Sequence, residues 1–340
     1  MTGDAGMRLR PEPERRKVLL GALGALAGLG GVIAGPSAGP SAYRALAAAR
    51  GLQTRTRAGL GLGTTVSLTL AGPETETLER ALSDGFRALR AVESEASLFR
   101  ADSALTRLNR DGVLPRPGPH LLTMLRFALQ LAEATDGAFD PTVQPLWTLW
   151  AGMTARGARP SADDLRAAVA RVDWRGVVVE ESAIRLARPG MGLTLNSLVQ
   201  GYAADCVMAA VTAHGITDAF LDTGEFGARG HHADGTPWRL GIADPRAPAR
   251  VAQTLAPFTG FAATSGDYAM SFSPDHADHH IFDPKTGTSP RELASATVTA
   301  PTGLLADGLS TAAFVLDASA RTSLLARYPG CRLYTVAKSA

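Results

Sequence analysis

Residues 63–70, GTTVSLTL, set Val66, Leu68 and Leu70 in alternation with Thr65, Ser67 and Thr69. A period of two belongs to a strand with one face in a core and one in water, so this stretch predicts a half-buried β-strand that opens the fold. The period then changes. Over residues 75–96, Leu78, Leu82, Phe86, Leu89 and Val92 recur every three or four positions, the stripe of a helix packed on a sheet. Residues 121–134 repeat the pattern with Leu122, Leu125, Leu129 and Ala132, and a further helix is predicted over 198–214 with Gly215 in the C-cap role. Short apolar runs at 176–179, 184–187, 219–222, 239–242, 296–300 and 332–336 read as strands. Strands in adjacent pairs, interrupted by helices, favour α+β over a regular βαβ repeat. No repeat and no linker divides residues 49–340, so one large domain is expected.

Composition narrows the class. A chain of 340 residues that is 45% hydrophobic can bury a sizeable core, which excludes disordered and fibrous classes. Its 36 glycines and 21 prolines suit a loop-rich globular enzyme. The 34 basic and 32 acidic side chains leave +2, too weak a field to hold nucleic acid. Cys206 and Cys331 form neither a disulfide framework nor a zinc or redox motif.

The first 48 residues read as an export signal. Arg8, Arg10, Arg15 and Arg16 precede a run from Val18 to Tyr43 without a charge, opening VLLGALGALAGLGGVIAG. Its five glycines between Gly21 and Gly31 dilute it below an ordinary membrane span, and weak hydrophobicity behind Arg15-Arg16 is the twin-arginine pattern. Cleavage after Ala47 satisfies the small-x-small rule, while an uncleaved anchor is the alternative. The expected location is periplasmic, with membrane contact only through a retained signal. Residues 1–48 hold six basic and three acidic side chains, so the remainder carries 28 against 29, a net of −1.

Two segments carry candidate chemistry. In LLADGLSTAAFVLD, Asp307 and Thr311 stand four apart and share one face if the segment is helical. A carboxylate and a hydroxyl are hard-oxygen donors of the kind Mg²⁺ takes beside water and substrate phosphate. Spacing alone also fits a helix N-terminus whose Asp307 complements the dipole. HADHHIFDPKTG places His276, His279 and His280 ahead of a turn, which fits a metal cluster, a general base or a solvated loop. Neither a Walker loop nor a GxGxxG after a strand occurs, and no G-x-S-x-G elbow is present.

Other segments add to these: LGT at 62–64, ESEASLFRADSALTRLN at 93–109, TDGAFDPTVQPLWTLW at 135–150, LTLNSLVQGYAAD at 193–205, LDTGEFGARG at 221–230 and TSGDY at 264–268. In this order, with HHIFDPKTG and ADGLST, they resemble the ApbE family of FAD:protein FMN transferases over residues 61–317. Leu62 stands for the family's Met. Thr194 and Gln200 stand for the Asp and Lys of Asp-Leu-Gly-Gly-Ile-Ala-Lys-Gly-Tyr, and Gly224-Glu225 for a Gly-Gly pair. The Leu-Asn-x-x-x-Gln-Gly-Tyr version is similar to NosX-type members.

The resemblance implies an ApbE/T-fold-like architecture of mixed antiparallel sheets flanked by helices. It implies FAD as substrate and Mg²⁺ on Asp307, Thr311 and the carbonyl of Ser197. A Thr or Ser hydroxyl of a target protein would attack the FMN-side phosphorus, releasing AMP. His280, as base or phosphate hydrogen-bond partner, and Asp307 are the implied catalytic residues. Leu62, Phe99, Ala138, Phe139, Asp140, Thr194, Gln200 and Ile281 are the implied flavin contacts. The implied acceptor is a protein with an FMN-binding domain of the RnfG, NqrC or NosR kind. Two alternatives stay open: Mg²⁺-dependent FAD hydrolysis to FMN and AMP, and an FAD-binding protein without turnover.

Overall fold

The computed structural model describes residues 50–338, so the signal segment over 1–48, its twin-arginine pair and the Ala47 site lie outside the described residues. The alternating stretch is β2 (Thr64–Gly72), with Val66, Leu68 and Leu70 fully buried. It does not open the fold. A preceding strand, β1 (Gln53–Gly61), pairs with it antiparallel from Gln53 opposite Gly72 to Gly61 opposite Thr64. The sequence reading missed β1 because QTRTRAGLG is an exposed edge strand whose arginines and threonines show no apolar alternation. The two residues joining the strands, Leu62 and Gly63, have φ of +53° and +79°. Two left-handed residues make a type I′ hairpin, which normally excludes a Leu. Leu62 is held there by burial and by its N–H donating to Glu93 Oε1 at 2.9 Å.

Helix α1 (Thr75–Ala96) buries the predicted stripe on this hairpin. Next come α2 (Ala104–Asp111), β3 (Val113–Pro115) and α3 (Pro119–Ala134). They are followed by α4 (Gln144–Thr154), α5 (Ala162–Val169), β4 (Val177–Val179) and β5 (Ala183–Leu186). Helix α6 (Val199–Thr212) is capped at Ala213, and Gly215 turns left-handed two residues later at φ +76° rather than forming the cap itself. Then come β6 (Asp218–Asp222), β7 (Phe226–Arg229), the ribbon β8 (Leu240–Asp244) with β9 (Ala247–Leu255), β10 (Gly260–Gly266) and β11 (Leu293–Ala300). Helices α7 (Gly303–Val315) and α8 (Ala318–Leu325) precede the last strand, β12 (Arg332–Ala337).

One seven-stranded sheet runs β1-β2-β6-β7-β10-β11-β12, antiparallel throughout, beside a three-stranded β3-β5-β4 sheet and the two-stranded ribbon. The α+β expectation holds, as does a single domain over the described residues. The large sheet is covered on both faces. Ala219 and Leu221 of β6 enter the main core with the helices, while Phe220 between them packs with Trp238, Leu240 and Phe258 on the ribbon side. A strand buried on both faces loses its alternation, which is why residues 219–221 read as a plain apolar run. Cys206 and Cys331 are free thiols. Among the described residues no helix is long and apolar enough to cross a membrane.

Candidate active site

Helices α6 and α7 cross on Gly201 and Gly303, where a Cβ on either would overlap the other's carbonyl oxygen. The contact lets each helix cap the other. Asp205 on α6 accepts the N–H groups of Gly303 at 2.6 Å and Leu304 at 2.8 Å, and Asp307 Oδ2 on α7 accepts that of Gly201 at 3.0 Å. Burial pushes the Asp205 carboxyl up to about 6 against those two bonds. Burial also raises the Asp307 carboxyl, with the Asp205 charge adding to it and the Gly201 N–H opposing it.

This crossing has a consequence one turn back. In a regular helix the Gly201 N–H would bond the Ser197 carbonyl; here it goes to Asp307, and among the described residues the Ser197 carbonyl oxygen has no backbone partner. Thr311 lies one turn beyond Asp307 and its hydroxyl meets Ser265 Oγ at 2.9 Å. The residues that carry a carboxylate with a free second oxygen, a hydroxyl and a released carbonyl thus line one cavity of about 530 Å³. Such a set suits a hard divalent cation that keeps water or substrate oxygens for its remaining positions. Among the described residues no three His, Cys, Asp or Glu side chains come together as a metal cluster, so the histidines of HADHH do not form one.

The cavity lies between the α6–α7 crossing, the end of β10, the 62–64 turn and the 138–147 and 280–284 loops. The implied metal, flavin and catalytic residues all line it, although the segments that contribute them are far apart in sequence. Leu62 and the exposed Phe99 form one rim, and Ala138, Phe139 and Ile281 supply apolar wall. Phe99 is 46% exposed, which leaves its ring free to stack on a planar ligand.

The polar members divide by what they already hold. Asp140 Oδ1 accepts Thr142 N at 2.7 Å and Thr142 Oγ1 at 2.6 Å, and Oδ2 accepts Trp174 N at 3.1 Å, so its carboxylate shapes the loop. Thr194 is placed by its N–H on Pro141 O, and its hydroxyl accepts Asn196 N at 3.3 Å. Asn109 clamps the adjacent Leu193, donating to its carbonyl at 2.8 Å and accepting its N–H at 2.7 Å, which explains the Asn at the end of the 93–109 motif. Gln200 packs its amide over Gly224, where no Cβ would fit.

The three histidines part company. His280 lines the cavity; its Nδ1 donates to Met270 O at 3.1 Å, which leaves Nε2 as an acceptor with no protein partner among the described residues. Burial lowers its pKa and keeps it neutral. That is the form a general base requires; a phosphate oxygen, itself an acceptor, would need Nε2 protonated. His276 sits outside the cavity, its carbonyl held by Lys338. His279 is fully buried: Nε2 donates to Pro290 O at 3.1 Å while Nδ1 accepts Ile281 N at 3.3 Å. With both nitrogens committed, desolvation brings its pKa down to about 3. The fold therefore holds His279 neutral where the unfolded chain protonates it, so its contribution is complete above about pH 6.5 and is lost as pH falls toward 3. Urea titrations at pH 7, 5.5 and 4 are expected to show the stability gap between the wild type and His279→Gln closing by up to about 1.4 kcal/mol per pH unit. A gap independent of pH would show that His279 titrates alike in both states.

Several cavity residues escaped the sequence reading. Trp147, Tyr268 and Glu225 all line it. Glu225 lies on the β6–β7 turn and accepts Thr264 N at 3.1 Å; burial, then the nearby Asp307, raises its carboxyl well above the usual range. Behind the β10 end, Asp267 is fully buried. Burial alone would raise it, but a bidentate Arg246 at 2.8 and 2.7 Å and Lys338 at 3.0 Å outweigh that and hold it below the usual carboxylate range. Arg246 comes from the tip of the ribbon and Lys338 from beyond β12, so both distant segments anchor the cavity wall. Arg246→Ala is expected to cost about 2 kcal/mol in urea melts, less in an Asp267→Asn background; equal losses in both would show that the pair is not coupled.

The profile of the ApbE family matches residues 62–335. The chain belongs to the ApbE family. It is 33% identical to the FAD:protein FMN transferase of Treponema pallidum (strain Nichols) over 274 residues, covering 74% of this chain and 75% of the relative. Among solved structures, the apo flavinyl transferase ApbE of Pseudomonas stutzeri superposes with a TM-score of 0.73 at 30% identity, covering 85% of this chain and 92% of that one. The ApbE protein of Thermotoga maritima gives 0.74 at 26% identity, covering 84% and 94%. The ApbE-like α+β architecture expected from the sequence is thus the one found, and the chain is an enzyme of the transferase class. Within the ApbE family profile fall the 62–64 turn and the 306–311 segment, both of which contribute residues to the cavity just described.

Proposed function

We propose that this chain transfers the FMN half of FAD to a Ser or Thr hydroxyl of a target flavoprotein with an FMN-binding domain, in the presence of Mg²⁺. The observation that carries the reading is the diverted Gly201 N–H, which frees the Ser197 carbonyl beside the open oxygen of Asp307 and the hydroxyl of Thr311. A divalent cation there supplies charge neutralisation for a pyrophosphate under attack. The protein's own residues do the rest. Phe99, Leu62 and Ile281 give an apolar, partly aromatic surface for a flavin, and the neutral His280 presents Nε2 to accept the proton of the attacking hydroxyl. The new phosphoester forms as the bond to the AMP phosphate breaks, and AMP leaves with the displaced electron pair.

Export by the twin-arginine route is part of the proposal; it is supported by Arg15-Arg16 ahead of the glycine-diluted apolar run. The test is the intact mass of a recombinant FMN-binding acceptor domain after incubation with the purified protein, FAD and Mg²⁺, against an EDTA control. A cation-dependent gain of one FMN phosphoester is expected. Free FMN and AMP without that gain would make the chain a pyrophosphatase, and intact bound FAD with two different acceptors would make it a binder.

A further inference from the structure

The cavity is unusual in its charge. It is lined by three carboxylates, Asp140, Glu225 and Asp307, and among the described residues by no Lys or Arg. Asp140 is saturated by loop donors. Glu225 and Asp307 are not: each has one oxygen on a backbone N–H, from Thr264 and Gly201 respectively, and no described residue donates to the other oxygen of either. Asp307 is only 5% exposed, so its free oxygen faces the cavity and not bulk water. A pyrophosphate brought into such a site meets two like charges with no protein cation to offset them, in surroundings that screen poorly. Positive charge has to come from solution.

We propose that Glu225 shares with Asp307 the divalent cation that accompanies FAD, and thereby makes FAD binding itself dependent on that cation. The inference rests on the cation-dependent reading above, and adds to it Glu225 on the β6–β7 turn, which is held by the N–H of Thr264 next to Ser265, the residue whose hydroxyl meets that of Thr311 at 2.9 Å. Gln200, whose amide lies over Gly224 next to Glu225, brings no charge to oppose it.

The experiment is flavin-fluorescence titration of the purified full chain with FAD, in EDTA and at rising MgCl₂, for the wild type, Glu225→Gln and Asp307→Asn. Glu225→Gln keeps an oxygen for the Thr264 N–H, and a melting curve checks that it folds; Glu225→Gly serves as a second charge-removing variant. The wild type should bind FAD weakly in EDTA and tighten with Mg²⁺. Glu225→Gln should bind FAD about tenfold more tightly in EDTA and need about tenfold more Mg²⁺ for its half-effect. If both charge-removing variants stay within about twofold of the wild type on both measures while the wild type and Asp307→Asn still differ in Mg²⁺ response, this inference fails and the cation reading stands. Weaker FAD binding by Glu225→Gln in EDTA overturns it too, because Glu225 would then be a direct hydrogen-bond partner of FAD. A wild type with no Mg²⁺ response removes the cation reading together with the inference.

Discussion

Asp307→Ala is expected to abolish FMN transfer while leaving FAD binding measurable. The residue supplies the only carboxylate on the α6–α7 crossing that keeps an oxygen free toward the cavity, because both oxygens of Asp205 are taken by the start of α7. Loss of cation stabilisation of the developing charge is worth several kcal/mol, which is more than about a hundredfold in rate. The apolar and aromatic surface for the flavin lies on other elements and is untouched by the change. Single-turnover transfer to an acceptor domain, followed by intact mass beside a flavin-fluorescence titration, separates the two effects. Transfer at a wild-type rate would remove Asp307 from the reaction and leave it a helix cap.

The second large effect is structural. Gly201→Ala places a methyl group on the Gly303 carbonyl and against the Asp307 Cβ. Backbone cannot yield there as a side chain tip would, so α6 and α7 must separate, and reciprocal capping by Asp205 and Asp307 weakens with them. Overpacking of this kind costs about 3 kcal/mol, which for a domain of this size lowers Tm by roughly 6–12 °C. Activity should fall further than stability, since the same shift moves Asp307 and the Ser197 carbonyl apart. Differential scanning calorimetry and transfer rates at 20 °C measure the two; an unchanged Tm would mean that the crossing has room the geometry does not show.

The difference between the two substitutions shows where the sequence was informative. Asp307 and Thr311 were legible because a four-residue spacing on a helix is a local property, and so was α1, whose stripe from Leu78 to Val92 reads directly from its period. Strand β1 was not, because its covered face carries arginines and glycines in place of large apolar residues and so imprints no hydrophobic alternation. Glu225 was visible in the sequence only as a departure from a glycine pair. Nothing local says that the β6–β7 turn faces the start of α7, some eighty residues on. The same holds for Arg246 and Lys338, whose partner Asp267 is distant from both in sequence.

His279 and His280 make the point at neighbouring positions. The sequence marks both as candidate bases, and only the tertiary structure separates them: His279 has both nitrogens committed inside the core, while His280 keeps one toward the cavity. The amino-acid sequence by itself determined the α+β class, most elements of the core and the residue types available for chemistry, because periodicity and donor chemistry are set by near neighbours. The tertiary structure decided which oxygens are free. That depends on where each N–H finds its acceptor, and here one N–H, that of Gly201, leaves its own helix for Asp307 because two glycines allow the helices to touch.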